Sequence, residues 1–202
     1  MDKKDLSFVY GCIIGDGCLR LSKDNSIQLS IKHSSVQKEY LNYKSSILNR
    51  IFNSFNLVKD INNSGYPGCQ YTIGRTKELR PIYNLFYPKG KKEIVNPKII
   101  NNLTPEALAL WWMDDGSLSM KIKKSTGKIE ARQGFINTYL PLEDNLYLIE
   151  LLNNQFNLNL KNVKDRKAYR IRLNTTDCKE LIKIVKSYIH PIFNYKIDMQ
   201  YK

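Results

Sequence analysis

The stretch Gly15-Asp16-Gly17-Cys18-Leu19 returns 99 positions later as Asp114-Asp115-Gly116-Ser117-Leu118. Weaker matches follow in the same order, at separations of 98 and 102 residues: Tyr71-Thr72-Ile73 with Tyr169-Arg170-Ile171, and Lys77-Glu78-Leu79 with Lys179-Glu180-Leu181. Matches in a common order at a nearly constant spacing indicate a duplicated structural unit. We therefore predict two tandem units, residues 1–103 and residues 104–202, that meet at a short joint.

An apolar helix is predicted immediately before each copy. Residues 6–14 read as one helix with Asp5 as its N-cap, and Thr104-Pro105-Glu106 has the composition of a second helix start. Both segments are apolar nearly all round, which is typical of helices buried on every side. We expect these two helices to form the interface between the units.

The period of the apolar residues changes from 3.6 to 2 after each helix, which predicts half-buried antiparallel strands. Amphipathic helices complete each copy, over residues 40–55 and 79–86 in the first and residues 146–156 and 181–189 in the second. The aromatic residues on these helices have aliphatic neighbours on the same face, so we interpret them as core. The predicted fold class is α+β, with the polar strand faces rich in Arg, Lys, Gln, Ser and Thr.

The charge of the chain points to a polyanionic partner. There are 32 Lys and Arg residues against 19 Asp and Glu, which gives a net charge of +13. Nucleic acid is the first candidate and a membrane surface the second, and no apolar run is long enough to span a bilayer. The four cysteines form no C-x-x-C pair, which favours free thiols over a zinc site. With no signal peptide apparent, we expect an intracellular protein from bacterial or phage-infected cytoplasm or an organelle.

Asp16 and Asp115 occupy an unusual place, because the C-terminal end of a helix carries partial negative charge and disfavours an acid. If the two helices pack side by side, the two carboxylates also repel each other. A divalent cation would relieve both costs, and oxygen ligands favour Mg²⁺ over zinc. The alternative is that each aspartate only starts a glycine-containing turn. Because the placement is duplicated, we prefer the metal hypothesis.

Residues 9–17 (VYGCIIGDG) and 108–116 (LALWWMDDG) resemble two degenerate copies of the motif that defines the LAGLIDADG homing endonucleases and related intron maturases. The first motif glycine is replaced by Leu110 in the second copy, and Asp114 stands where a small residue is usual. The sequence WMDDGS resembles the maturase-like subgroup. The resemblance covers essentially the whole chain.

This resemblance implies two αββαββα repeats that form a pseudo-twofold saddle over double-stranded DNA, in a monomer. It implies that Asp16 and Asp115 hold divalent metal with the backbone carbonyls of Gly15 and Asp114. The expected cofactor is Mg²⁺, with Mn²⁺ able to substitute and Ca²⁺ supporting binding without cleavage. Lys92 and Lys196, by their place after the last helix of each repeat, are the expected auxiliary catalytic residues, with Lys91 as a register alternative to Lys92.

The polar strand faces are the predicted DNA surface, because acidic residues are scarce on them. Arg and Lys suit guanine and Gln suits adenine in the major groove. A solvated polar face is the alternative. The predicted DNA-contacting residues are Arg20, Gln28, Lys32, Arg75, Lys121, Lys123, Arg132, Arg170 and Arg172.

Three functions remain open at this point. The first is a site-specific endonuclease that cuts both strands of a long, partly palindromic target and leaves short 3′ overhangs. The second is a maturase that binds its host intron RNA, and the third is a non-catalytic DNA-binding protein of the same fold. Retention of both Asp16 and Asp115 favours the first, and none of the three needs a membrane.

Overall fold

A computed structural model of the chain describes residues 1–63, 65–122, 125–126 and 129–199. The predicted DNA contact Lys123 lies outside these residues, and the side chains of Arg75, Lys121 and Arg132 also lie outside the description. The chain divides into two compact units, Met1–Ile94 and Val95–Lys202. Each unit is an α+β body of its own.

The first unit has the element order αββαββα, as predicted. Its sheet is antiparallel with the strand order β1-β2-β4-β3. Gly17 in β1 pairs with Ile31 in β2, which pairs in turn with Tyr71 in β4. The elements are α1 (Lys3–Ile14), β1 (Gly17–Leu21), β2 (Ile27–Ser34), α2 (Lys38–Ile51), β3 (Lys59–Asn63), β4 (Tyr66–Thr76) and α3 (Arg80–Phe86).

The second unit repeats this order after a short additional helix, and 3₁₀ segments follow its last helix at Lys186–Tyr188 and Pro191–Lys196. Its antiparallel sheet has the strand order β5-β6-β8-β7. The elements are α4 (Pro97–Ile100), α5 (Pro105–Asp115), β5 (Gly116–Ile122), β6 (Ile129–Leu140), α6 (Leu142–Phe156), β7 (Lys161–Asp165), β8 (Ala168–Leu173) and α7 (Thr175–Val185).

The sheet register corrects one of the sequence matches. In the second unit Gly116 pairs with Ile136, which pairs with Ile171. Since the first unit has the corresponding order Gly17, Ile31 and Tyr71, Tyr71 corresponds to Ile171 and not to Tyr169. The error is two residues, so it preserves which face of the sheet each side chain occupies.

An asparagine marks the end of the second helix in both units. Asn49 Nδ2 donates to the carbonyl of Asn56, and Asn49 Oδ1 accepts from the Asn56 amide, at 2.9 and 3.1 Å. Asn153 makes the same two bonds to the backbone of Leu160, at 3.4 and 2.8 Å. We call this pair of hydrogen bonds, from an asparagine side chain to the backbone seven residues later, the asparagine bracket. Because both units have it, helices α2 and α6 can be aligned residue by residue.

Three predicted details at helix ends were wrong, one of them in α7, which ends at Val185 and not at residue 189. Helix α1 begins earlier than expected, and its N-cap is Asp2, whose side chain accepts from the Asp5 amide at 2.7 Å. Asp5 lies in the first turn and pairs with Arg50. Helix α2 ends at Ile51, so Phe55 lies beyond it with 92% of its surface exposed and is not core.

The apolar motif helices are buried as predicted, over residues 7–14 in α1 and residues 107–113 in α5. The start of α5 also agrees with the prediction, since Thr104 caps it by accepting from the Ala107 amide at 3.3 Å. The packing of α1 on α5 stays a prediction. Among the described residues, no helix combines the length and the apolar character needed to cross a membrane.

Candidate nuclease site and nucleic-acid surface

Asp16 and Asp115 both lie at the junction between a buried apolar helix and the first strand of a sheet. Asp16 follows the end of α1, and Asp115 is the last residue of α5. Each is followed by a glycine at the point where the strand passes close to its own helix. A Cβ on Gly17 would lie 2.5 Å from the Cys12 carbonyl oxygen, and one on Gly116 would overlap the Trp112 ring. The glycine after each aspartate is therefore required by packing.

The Asp16 carboxylate faces an open pocket of about 440 Å³, and 43% of its side chain is exposed. The pocket carries a cationic group, Lys32, together with the hydroxyl of Ser34 and the amide of Gln37. An accessible carboxylate surrounded by a cation and neutral polar groups suits a polar, hydrated ligand better than an apolar one. Its remaining lining residues are His33, Tyr66, Pro67 and Gly68.

A buried polar chain lies behind Asp16. His33 Nδ1 is 3.3 Å from Asp16 Oδ2, and the His33 side chain is only 2% exposed. The other ring nitrogen, Nε2, is 3.3 Å from Lys44 Nζ. Lys44 is fully buried, with its Nζ 4.3 Å from the centroid of the Tyr40 ring. Sequence reasoning missed the connection between these residues. The signal that could have singled out Lys44 is its place among the apolar positions of an amphipathic helix.

Lys92 reaches the end of the first motif helix. Its Nζ donates to the carbonyl of Gly15 at 2.7 Å and to that of Gly17 at 3.3 Å. Of the two register alternatives, Lys92 is therefore the one brought to the motif, and Lys91 is exposed. The Gly15 carbonyl, a predicted metal ligand, already accepts a bond from the lysine that was predicted to act beside it.

In the second unit, Asp115 is held by an indole. Trp111 Nε1 donates to Asp115 Oδ2 at 3.1 Å, one helical turn apart. Trp111 is 1% exposed, whereas Asp115 is half-buried. Because the indole ring is fixed by its burial, the bond restricts the carboxylate to one orientation. Sequence reasoning treated Trp111 only as a buried apolar residue.

Lys196 reaches the end of the second motif helix. Its Nζ donates to the carbonyl of Met113 at 2.5 Å, and Trp112 Nε1 donates to the Lys196 carbonyl at 3.1 Å. Lys196 is buried, and its Nζ lies 5.1 Å from the Phe193 ring centroid. The carbonyl that it binds precedes that of Asp114, the residue predicted to supply a metal ligand.

Lys92 and Lys196 lie where each aspartate is unfavourable, at the C-terminal end of a motif helix. An ammonium group at each helix C-terminus offsets the partial negative charge of the helix end, a position where cations are favourable. A protein cation therefore provides part of the compensation that the sequence analysis had attributed to metal alone. In each unit the motif carboxylate follows a helix-end carbonyl, and carboxylate and carbonyl oxygens are ligand types that Mg²⁺ accepts.

The polar face of the first sheet carries three of the predicted DNA contacts. Exposed Arg20 pairs with half-buried Gln28 across the β1–β2 ladder, and Lys32 pairs with Gln70 across β2–β4. Gln70, which the sequence analysis missed, donates through Nε2 to Ser30 Oγ and Thr72 Oγ1, each at 3.0 Å. The face is thus a connected layer of amide, hydroxyl and cationic groups.

The polar face of the second sheet carries Arg170 and Arg172. Arg172 is exposed and pairs with Phe135 in the ladder. The Arg170 guanidinium carbon lies 3.9 Å from the Phe135 ring centroid, and Nη1 is 3.6 Å from Asp165 Oδ2. Arg170 Nε is buried and has no hydrogen-bond partner in the described part of the chain. Gln133, which the ladder sets opposite Ser119, shares this face.

The fold and the duplicated aspartates define a class of protein, namely tandem αββαββα proteins with an acidic residue at the end of each motif helix. A match to the LAGLIDADG DNA endonuclease family extends over residues 6–181. The chain belongs to this family. The resemblance inferred from residues 9–17 and 108–116 is confirmed.

Solved and curated relatives agree with this assignment. The homing endonuclease I-WcaI bound to its DNA recognition sequence superposes with a TM-score of 0.81, at 22% identity over 98% of this chain and 88% of that one. The predicted fold class is thereby confirmed. Intron-encoded endonuclease ai4 of Dictyostelium discoideum is 30% identical over 145 residues, which are 71% of this chain and 82% of that protein.

Cytochrome b mRNA maturase bI2 of Saccharomyces cerevisiae is 26% identical over 216 residues, which are 95% of this chain and 47% of the relative. The chain spans between 30% and 47% of the length of the first curated relatives that it matches.

Proposed function

We propose that this protein is a site-specific, divalent-metal-dependent endonuclease of double-stranded DNA. The observation that carries the proposal is the duplicated junction, where a buried helix ends at an aspartate and a lysine from the end of the same unit bonds a carbonyl of that helix end. Family membership supports it, as does the likeness to a homing endonuclease that binds a DNA recognition sequence. Residues 1–103 and 104–202 are the two functional halves of a monomer.

Divalent metal, when bound, would activate water and offset the negative charge that develops on the phosphate. Asp16 and Asp115 would hold it, with the carbonyls of Gly15 and Asp114. Mg²⁺ is the proposed ion, Mn²⁺ can replace it, and Ca²⁺ supports binding alone.

The protein's own residues prepare each junction for this chemistry. Trp111 and His33 orient the two carboxylates from buried positions. Lys92 and Lys196 hold the helix ends in place and add fixed positive charge near the scissile phosphate, where it costs no reorganisation during reaction. In this proposal the lysines act by electrostatics and need not move a proton.

DNA affinity comes from the basic sheet faces, and sequence preference comes from their side chains in the major groove. Arg20, Gln28 and Lys32 serve this role in the first unit, with Arg170 and Arg172 in the second. Arg75, Lys121, Lys123 and Arg132 are proposed as further contacts from the sequence. Because the two faces differ in composition, the target is only partly palindromic.

The test is incubation with end-labelled duplex that spans the uninterrupted insertion site of the host gene, in Mg²⁺, Ca²⁺ or EDTA. The expected result is a double-strand cut with 3′ overhangs in Mg²⁺ and retarded but intact DNA in Ca²⁺. Asp16→Asn and Asp115→Asn should each abolish the double-strand cut and still bind in Ca²⁺. Binding with no cut in either Mg²⁺ or Mn²⁺ would identify a non-catalytic DNA-binding protein instead.

A maturase activity is the second candidate, and the similarity to the yeast cytochrome b mRNA maturase favours it. Its partner would be the host intron RNA. The assay is splicing of the precursor transcript with and without purified protein. If the two activities use different surfaces, Asp16→Asn stops cutting and leaves splicing unchanged.

A further inference from the structure

The two motif aspartates have unlike surroundings, and the difference lies in buried polar residues. The ladder aligns Ile31 with Ile136, because each pairs with the glycine that follows the motif aspartate. His33 lies two residues beyond Ile31, whereas β6 has a register irregularity between Ile136 and Leu140, and the stretch of β6 there holds Asn137, Thr138 and Tyr139 and no histidine. The asparagine brackets of α2 and α6 align Asn49 with Asn153, and five residues upstream Lys44 therefore corresponds to Leu148.

In the part of the second unit that the structure describes, hydroxyl and amide side chains fill the region between β6 and α6. Thr138 Oγ1 lies 2.6 Å from Asn145 Oδ1, and Asn145 Nδ2 donates to Asn162 Oδ1 at 2.7 Å. Leu148, in the position of Lys44, is fully buried. A buried leucine at this position packs without needing a polar partner, so the fold itself does not require a lysine there.

The side-chain contacts Lys44–His33–Asp16 form a series in which each hydrogen bond has a donor and an acceptor. Lys44 Nζ and His33 Nε2 lie 3.3 Å apart. A lysine ammonium carries three N–H donors and no acceptor, so with Lys44 in that form His33 Nε2 accepts in this contact. The ring hydrogen of a neutral imidazole then lies on Nδ1, which faces Asp16 Oδ2 at 3.3 Å. Lys44 thus selects the tautomer that lets His33 donate to Asp16.

We propose that His33, set by Lys44, is a positioning residue for Asp16 alone, so that the first unit's cleavage site depends on a buried relay that the second unit lacks. The proposal rests on the proposed endonuclease function. His33 does not touch the DNA in this scheme. His33 fixes the orientation of Asp16 through a hydrogen bond. Residues that orient a metal-ligating side chain in this way are important for the site, and their loss typically costs about 10- to 100-fold in metal affinity or activity.

Three substitutions test the relay: His33→Leu, the conservative His33→Gln, and Lys44→Leu. His33→Leu removes both bonds, whereas His33→Gln keeps one acceptor and one donor on a single amide and should preserve much of the relay. Lys44→Leu installs the residue that the second unit already buries. Thermal unfolding of each variant checks that it is folded before its activity is compared.

Cleavage is followed with a different label on each DNA strand. His33→Leu and Lys44→Leu are expected to slow one strand about 10- to 100-fold and to accumulate nicked duplex, with His33→Gln restoring most of the rate. Affinity for the uncut duplex in Ca²⁺ should change less than threefold. Equal slowing of both strands, or no slowing of either, would overturn the proposal.

A second readout is independent of DNA cutting. The chain contains two histidines, His33 and His190, so ¹⁵N-histidine-labelled protein gives two ring spin systems, and His190→Gln assigns them. Lys44→Leu should shift the Nε2 resonance of His33, because Lys44 Nζ lies 3.3 Å from that nitrogen, and should leave the His190 resonances unchanged. A His33 Nε2 resonance that does not move in Lys44→Leu refutes the relay. If wild type never cuts DNA, the proposed function fails while this measurement still decides the relay.

Discussion

The Trp111 indole donates its only N–H to Asp115 Oδ2 at 3.1 Å, so a buried ring fixes the orientation of the second unit's motif carboxylate. Trp111→Phe removes this bond and keeps most of the apolar volume. A hydrogen bond to a charged acceptor contributes about 1.5–3 kcal/mol, so we expect cleavage of one strand to fall roughly 10- to 150-fold. The measurement is strand-specific cleavage under single-turnover conditions.

Trp112→Phe is the matched control, because Trp112 is the next residue on the helix and its indole bonds the Lys196 carbonyl rather than a carboxylate. It should lower the melting temperature, and its strand ratio should stay closer to that of wild type. If Trp111→Phe and Trp112→Phe slow the same strand equally, the indole bond to Asp115 has no specific role.

Gly17→Ala and Gly116→Ala should each destabilise the protein. The new methyl group would meet the Cys12 carbonyl oxygen in the first unit and the Trp112 ring in the second. Overpacking of this kind costs about 1–3 kcal/mol. The control is Gly74→Ala, where the added Cβ has no described atom within 4 Å apart from those of its chain neighbours. Urea unfolding measures all three, and an equal effect of Gly74→Ala would refute the packing explanation.

Lys92→Met and Lys196→Met should separate the electrostatic role of the lysines from their structural role. Both variants remove a charge bonded to a helix-end carbonyl and keep the aliphatic stem. Lys196 is buried and Lys92 is exposed, so we expect the larger loss of melting temperature for Lys196→Met. Both should slow cleavage more than they weaken binding in Ca²⁺. Lys91→Met, an exposed neighbour, is the control and should cut at nearly the wild-type rate.

The repeat and the burial of the motif helices could be predicted from local periodicity and from the copied motif, and the resemblance to the LAGLIDADG family implied the αββαββα order. It placed Lys92 and Lys196 near the motif by their position in each repeat, and their Nζ atoms do bond carbonyls of the helix ends. These are features that short-range patterns carry.

The relay through His33 and Lys44 could not be predicted in the same way. Its members are separated by 11 residues along the chain and meet only because β2 packs under α2. A polar residue on an apolar helix face has many possible partners, and the sequence does not name the one that is used. The alignment of Tyr71 with Tyr169, two residues away from Ile171, has a similar cause. Strand register depends on pairing between strands, and identical residue types in two segments do not determine it.

Thiol labelling should distinguish one cysteine from the other three. All four cysteines are thiols outside any disulfide, Cys18 is exposed, and Cys12, Cys69 and Cys178 are buried. A thiol reagent in excess should therefore modify one group rapidly in the native protein and four in urea. Cys18→Ser should abolish the fast phase, and a fast phase that survives this change would contradict the assigned burial.

Cys178 should make the protein less stable at alkaline pH. Burial, with a smaller contribution from the nearby Asp177 charge, raises the pKa of the Cys178 thiol from 9.0 to about 12. The unfolded chain therefore loses this proton at lower pH than the folded chain does. The stabilising contribution is fully present below pH 9 and is lost as the pH rises towards 12. We expect the free energy of unfolding in urea to fall between pH 7.5 and 10.5 by about 1–2 kcal/mol more in wild type than in Cys178→Ala. The cavity left by the alanine substitution has the same cost at both pH values, so it does not affect this difference. A parallel fall in the two proteins would show that Cys178 does not couple folding to pH.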